Sequence, residues 1–295
     1  MSAGTATWSD ISGTANQIKM DALAVARQAS VLLPTVTILS ATGMNLRQID
    51  QWNSLAFSTH TEEVDEASTD FSKSALSTLT PYNYHCRADL TDERLASDWE
   101  NVRAAAALEL GGAAADHIDE SISDLFSTAI WTGGTIGPAD AGTAASGTIT
   151  WRAITKALAL LQAQNPPAGA PVYCSLHPYQ WEVLLSSNSI AAATVAVAPG
   201  YQDRMVSAGG FFRIPQFVGV TFVIANCIDV ASTAAYGLMY VPQAIAIDTR
   251  KVFDIEPQRD ASKQAWELNA SMWYACGKYN PKWGVLLRHN ASTPS

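Results

Sequence analysis

The sequence predicts an α+β fold in which one long spine helix lies on an antiparallel sheet, with an α/β lobe inserted between the helix and the strands beneath it. Three observations carry this. Between Asp89 and Ile130, apolar or small residues recur at Trp99, Val102, Ala106, Leu110, Ala113, Ile118, Ile122, Leu125 and Ala129, a helical spacing with one face that must be covered. Near the C-terminus, Trp266, Leu268, Ala270, Met272 and Tyr274 line one face of a long strand at period two. Between these segments, residues 171–247 mix short strand-like runs with a helical one.

In chain order, residues 1–45 form an arm. Ile18, Leu23 and Val25 allow a short helix that stops before Pro34, and Val36 and Ile38 alternate with threonines as a strand does. Few of these residues can build a core of their own. Residues 46–90 form an extended loop of two limbs, Leu46–Phe57 and Phe71–Leu90, around an acidic tip. That tip holds Glu62, Glu63, Asp65, Glu66 and Asp70 without a lysine or arginine. A run of this kind is usually a solvated loop. As a functional alternative, its carboxylates dock on arginines of a neighbouring chain. Calcium is a poor candidate, because the glycine and the regular alternation of an EF-hand loop are missing.

The spine belongs to residues 91–170. Thr91 is placed to cap it, and Ser97-x-x-Glu100 reads as a capping box. An unbroken helix from 89 to 130 would be on the order of 50 Å long. Gly111-Gly112 costs about 1 kcal/mol per glycine against alanine, and the alanines at 104–107 and 113–115 offer little volume to a coiled coil. Small residues suit a helix lying close on a sheet. Residues 131–149 are rich in Gly, Ala and Thr and read as a surface loop. Thr150 then caps a helix carrying Ile154, Ala157, Leu158 and Leu161, which Asn165-Pro166-Pro167 stops.

Residues 171–247 form the inserted lobe. Val172–Leu176 is a buried-type strand, Pro178 opens a helix with Trp181, Leu184 and Leu185, and 217–224 and 235–247 read as strands. Residues 248–295 return to the spine's sheet. Val252–Glu256 alternates, 257–262 turns, 266–274 is the long strand, and Trp283–Leu287 is a third strand under the helix.

Composition limits function. In 295 residues, 48% of them hydrophobic, there is enough material for real cores without disulfides or metals. Cys86, Cys174, Cys227 and Cys276 are far apart with no C-x-x-C pair, which fits a reducing birthplace and argues against a zinc site. No signal-peptide pattern opens the chain and no apolar run reaches membrane-spanning length. A net charge of −9 tells against gripping nucleic acid, though not against enclosing it. G-x-S-x-G, H-E-x-x-H and both glycine-rich phosphate loops are absent, and no cofactor is implied. His117 with Asp116, Asp119 and Glu120 comes nearest to a metal cluster, and reads better as the polar face of a long helix. His177, just before Pro178, reads better as a helix cap than as a catalytic base.

Taken together, the arm, the extended loop, the spine, the inserted lobe and the returning strands resemble the major capsid proteins of tailed bacteriophages with the Hong Kong 97-type fold. The segments most similar to that family are Pro171-Val-Tyr-Cys-Ser-Leu-His-Pro-Tyr-Gln-Trp181, Ile255-Glu-Pro-Gln-Arg-Asp260, Tyr274-Ala-Cys-Gly-Lys-Tyr279 and Trp283-Gly-Val285. The resemblance implies a shell subunit, not an enzyme. Residues 171–247 would be its axial domain, and 91–170 with 248–295 its peripheral domain. Pentamers and hexamers would build an icosahedral virion capsid around packaged double-stranded DNA, assembled in the host bacterial cytoplasm without a membrane. Arms and extended loops would be ordered by neighbouring copies. Some relatives crosslink a loop lysine to an asparagine. Lys73 and Asn269, Asn280 or Asn290 lack matching context, so no crosslink is expected here. A separate scaffolding protein, a portal and a possible cement protein are implied partners. The alternatives are an encapsulin-type nanocompartment shell and, further off, a soluble α/β hydrolase-like enzyme.

Overall fold

A computed structural model describes residues 30–39, 46–52, 55, 59, 71–93, 102–128, 130–137, 147–186, 213–217, 219–231 and 233–292. In chain order these form β1 (Thr37–Leu39), β2 (Arg47–Trp52), β3 (Lys73–Leu79), β4 (Tyr82–Thr91), α1 (Val102–Thr128), β5 (Thr135–Ile136), α2 (Trp151–Ala163), β6 (Val172–Leu176) and α3 (Pro178–Ser186). Then come β7 (Arg213–Phe217), β8 (Val220–Ile224), β9 (Val230–Ala231), β10 (Ala234–Tyr240), β11 (Ile245–Asp260), β12 (Ala265–Lys278) and β13 (Gly284–Asn290). The fold is α+β, as the periodicities predict.

Three sheets organise the chain. The first has the order β1-β11-β12-β4, the second runs β5-β13-β10-β6-β8-β7 with β9 on β10, and β2-β3 is a separate antiparallel hairpin. The 27 residues of α1 extend about 40 Å and cross both larger sheets. Its first half sets Ala107, Leu110 and Ala114 on Leu90, Phe253, Ile255, Leu268 and Ala270 of the first sheet. Its second half sets Ile122 and Phe126, both fully buried, among Val223, Tyr236, Leu238 and Tyr240 of the second. Alanine at the first contact keeps helix and sheet close. The opposite face of the second sheet packs Phe222, Met239, Val285 and Leu287 under Ile154 and Leu161 of α2 and Leu184 of α3. Neighbouring residues in β8, β10 and β13 thus serve opposite cores, the period-two consequence of a strand covered on both faces.

Several local expectations are corrected. The strand from 284 does not lie under the first half of α1: β13 pairs with β10 from Tyr240↔Gly284 to Ala234↔Asn290. Its unbroken Val-Leu-Leu run suits burial on both faces, whereas the spine's own sheet offers one face to a helix. That sheet is completed by β4, paired with β12 from Thr91↔Ala265 to Tyr82↔Tyr274, so the second expected loop limb is sheet edge from Tyr82 onward. The strand expected over 235–247 breaks at a 3-10 turn, Pro242–Ala244, and β11 starts immediately after it. The turn expected at 257–262 moves to 261–264. Pro257 lies within β11 opposite Leu268, tolerated because, among the described residues, β1 covers the other side of β11 only at Ala246–Asp248.

Residues 131–137 are not a surface loop. Trp131 and Ile136 are buried, and β5 adds to β13 in parallel. The glycines permit this approach: Gly137 has φ 100°, and a Cβ there would stand 2.1 Å from the Arg288 carbonyl oxygen. Thr150 caps α2 as expected, its side chain accepting from the Ala153 N–H, and Asn165 turns the chain at φ 49° before Pro166.

Because Phe126 fills the joint between α1 and the second sheet, Phe126→Ala is expected to cost about 3–5 kcal/mol in urea unfolding, while Leu108→Ala, on the exposed face of the same helix, changes little.

Candidate assembly surfaces and the polar anchors behind them

The described residues of the expected packing set lie as follows. Leu110 and Ile122 are buried, and Ile118 and Leu125 are partly buried against the second core. From β12, Leu268 and Tyr274 are buried, while Trp266 and Met272 pack at their margins. Trp99, the capping-box residues and the acidic tip (Glu62, Glu63, Asp65, Glu66, Asp70) lie outside the described residues, as does the side chain of Val102. β4 ends at Thr91 and residues 92 and 93 are helical, so the strand-to-helix turn falls where Thr91 was expected to cap.

The polar face read at 116–120 divides in two. His117 turns inward: its Nδ1 lies 2.6 Å from the Tyr274 hydroxyl, which is also 2.8 Å from Ser121 Oγ, and its ring packs 4.3 Å from that of Tyr84. Burial pushes the Tyr274 phenol well above its ordinary range, so it stays protonated and available to donate. This knot borders a cavity of about 220 Å³ between α1 and the first sheet, lined by Leu110, Ala114, His117, Tyr84, Phe253 and Met272.

Asp119 is not on a solvated face. Its buried carboxylate accepts from Ser30 Oγ at 2.6 Å, Val31 N at 2.7 Å and Leu32 N at 3.1 Å. Those donors precede the 3-10 turn Leu33–Thr35, so Asp119 anchors the arm to the spine. Desolvation raises its pKa, against the lowering effect of those hydrogen bonds. Leu32, Thr35 and Val36 are buried, and Thr35 Oγ1 lies 2.5 Å from the buried Tyr240 hydroxyl. Residues 30–39 therefore have a core after all, lent by the body of their own chain.

His177 caps α3. Its Nδ1 accepts from the Tyr179 N–H at 3.2 Å, while Gln180 Oε1 accepts from the His177 N–H at 3.3 Å, a reciprocal box with an imidazole in the usual place of a hydroxyl. Burial lowers its pKa and keeps the ring neutral, which the acceptor role of Nδ1 requires. All four cysteines are free. Burial pushes the thiols of Cys174, Cys227 and Cys276 upward, Cys227 to about 11, leaving them unreactive. Among the described residues, His, Cys, Asp and Glu form no group of three that could hold a metal, and no helix is long and apolar enough to cross a membrane.

The hairpin exposes paired aromatic rings. Trp52 and Phe71, each more than half exposed, stack with centroids 4.5 Å apart and planes 5° apart, and Leu55 is exposed beyond them. Lys73 pairs with Asp50 and lies 5.8 Å from the Trp52 ring centre, which gives its amine an occupation within its own chain. Nothing in the sequence singled out this stack, because Trp52 and Phe71 are 19 positions apart and meet only when β2 and β3 pair.

Two measurements test the anchors. Asp119→Ala leaves three donors without their acceptor and is expected to cost about 1–3 kcal/mol, with earlier proteolysis near residue 30. His177 has a folded pKa below its unfolded one, so its contribution is present above about pH 6.5 and lost as pH falls through the folded value. His177→Asn, which caps without titrating, is expected to flatten that part of the pH–stability profile between about pH 7 and 5.

No protein-family model and no curated protein matches the chain. Solved structures do. The cyanophage Pam1 capsid subunit aligns with TM-score 0.69 at 10% identity over 90% of this chain and 93% of that one. The capsid of cyanophage P-SCSP1u gives 0.66 at 15% identity over 88% and 87%. A virus-like particle from Pyrococcus furiosus gives 0.58 at 11% identity over 92% and 98%. Identities this low show shared architecture. The fold of this chain is that of tailed-phage major capsid proteins, the Hong Kong 97 type.

Proposed function

We propose that the protein is a major capsid protein, a structural subunit that assembles with copies of itself into a closed icosahedral shell. The observation that carries this is end-to-end architectural similarity to subunits of assembled capsids, covering 88% or more of this chain in the Pam1 and P-SCSP1u alignments. The hairpin supports it: a slender two-stranded element that exposes stacked aromatic rings is poorly suited to a solitary molecule and well suited to burial against another copy. A shell role needs no catalytic group.

In this reading residues 171–247, joined by β5, α2 and β13, form the axial domain, the rest of 91–170 and 248–295 the peripheral domain, 1–45 the arm and 46–90 the extended loop, whose last strand β4 runs along the peripheral sheet. Pentamers and hexamers close an icosahedron around double-stranded DNA, and the acidic chain encloses the DNA without binding its sequence. The acidic tip docks on arginines of a neighbouring copy. A scaffolding protein, a portal and a cement protein would complete the particle, built in the host bacterial cytoplasm. The Pyrococcus furiosus virus-like particle favours one second reading, an encapsulin-type shell around protein cargo.

Negative-stain imaging of the expressed protein, alone and co-expressed with a scaffolding protein from the same genome if one is found, is expected to show rings or closed shells. Monomers at high concentration under both conditions would overturn the proposal. Nucleic acid inside purified particles supports a virion, and protein cargo an encapsulin-type shell. Replacing Glu62, Glu63, Asp65 and Glu66 with lysine is expected to block shell closure while leaving the subunit folded, and normal particles would remove the docking role.

A further inference from the structure

We infer that the β2–β3 hairpin is held at a set angle by its own subunit before any neighbour arrives, through a buried ionic latch and a side-chain plug at its base. The hairpin shares no sheet with the rest of the chain among the described residues, so its backbone ladder does not fix its direction. Side chains do. Arg47, at the first position of β2, places Nη1 3.1 Å from Oδ1 of Asp248 in β11. The second oxygen of Asp248 accepts from Arg250 Nε at 3.0 Å. Asp248 is fully buried and Arg250 nearly so, while Arg47 remains a quarter exposed. A register shift in the β11–β12 pairing falls between Thr249 and Lys251, at Arg250, the kind of irregularity that re-aims a side chain.

Three further ties lie around the latch. Ser77 Oγ donates to the Lys278 carbonyl at 2.7 Å. Ile49 and Leu79, one from each strand, form a small buried cluster with Ala275 of β12. Leu79 plugs the notch left by Gly277, where a Cβ would stand 2.3 Å from its Cδ2. These contacts involve residues 47–49 of β2 and 77–79 of β3, the end nearest the body. Beyond them, Trp52 and Phe71 carry the exposed aromatic stack. A lever fixed at one end presents its far end in a chosen direction.

The asymmetry of exposure assigns different roles within the latch. Arg250 keeps Asp248 compensated inside the body, so the carboxylate survives loss of Arg47 without becoming an unpaired buried charge. Arg47 is the removable member. Its loss loosens the hairpin's root, which the remaining ties still hold in part, and spares the fold. The consequence for shell assembly rests on the proposed function; the latch itself does not.

Hydrogen exchange on the full-length unassembled subunit tests this directly. Backbone amides of the ladder at 47–52 and 73–79 are expected to be protected before assembly. Arg47→Met is expected to lower that protection by on the order of tenfold, the exchange equivalent of one hydrogen bond to a charged group. Arg47→Lys keeps part of it, and amides of β12 stay unchanged in both. If Arg47→Met is insoluble, Leu79→Ala, which removes the plug and keeps every charge, gives the same readout. Unprotected hairpin amides in the wild-type subunit, or protection unaffected by the soluble variant, would overturn the inference. These measurements do not require particles to form, so failure of the shell reading is a separate result.

Discussion

The relation between the two main sheets passes through α1, because one continuous helix supplies part of the hydrophobic cover of both. Its first half rests on the first sheet through alanines and Leu110, and its second half enters the other sheet's core through Ile122 and Phe126. A helix is stiff over a length of this order, so the two sheets cannot reorient independently without uncovering apolar surface on one of them. The chain order reinforces the coupling. β10 in the second sheet passes through a three-residue turn into β11 of the first, and β12 returns through another to β13 of the second. Two sheets so stitched behave as one body.

Around that body the polar anchors share a logic. Asp119 holds the arm segment at the spine, Asp248 holds the hairpin at β11, and the Tyr274–His117–Ser121 knot fastens the spine to β12. The first two place a carboxylate where a peripheral segment meets the body, and the third fixes helix on sheet within it. Apolar contact is tolerant of small slides, whereas a buried carboxylate is compensated only in a narrow geometry. Directional bonds at the roots of slender elements keep those elements aimed.

Much of the architecture was legible because burial patterns have a period. The spine's stripe, the alternation in β12 and the cap at Thr150 were all visible, since each depends on residues within a turn or two of one another. Which sheet β13 joins was not visible. Gly-Val-Leu-Leu is compatible with any buried strand, and its partner β10 is chosen by packing against α2 and β5. His117 and Asp119 illustrate the same limit. Two polar residues on one helix looked like a solvated face, but Asp119 meets a serine hydroxyl and two backbone N–H donors 87–89 positions away and His117 a phenol 157 positions away.

By itself the sequence determined the class of the fold, the positions of most elements, the cap chemistry at Thr150 and His177, and, through resemblance, a shell subunit as the expected role. Local forces suffice for these: helical and strand periodicities, proline geometry and capping act over a few residues. Only the tertiary structure decided that the arm's end is buried in its own subunit, that β4 completes the spine's sheet, that β13 crosses to the other, and that Arg47 meets Asp248. These outcomes turn on long-range pairing, where many apolar strands of similar composition compete and the winner is set by how completely all the layers close at once.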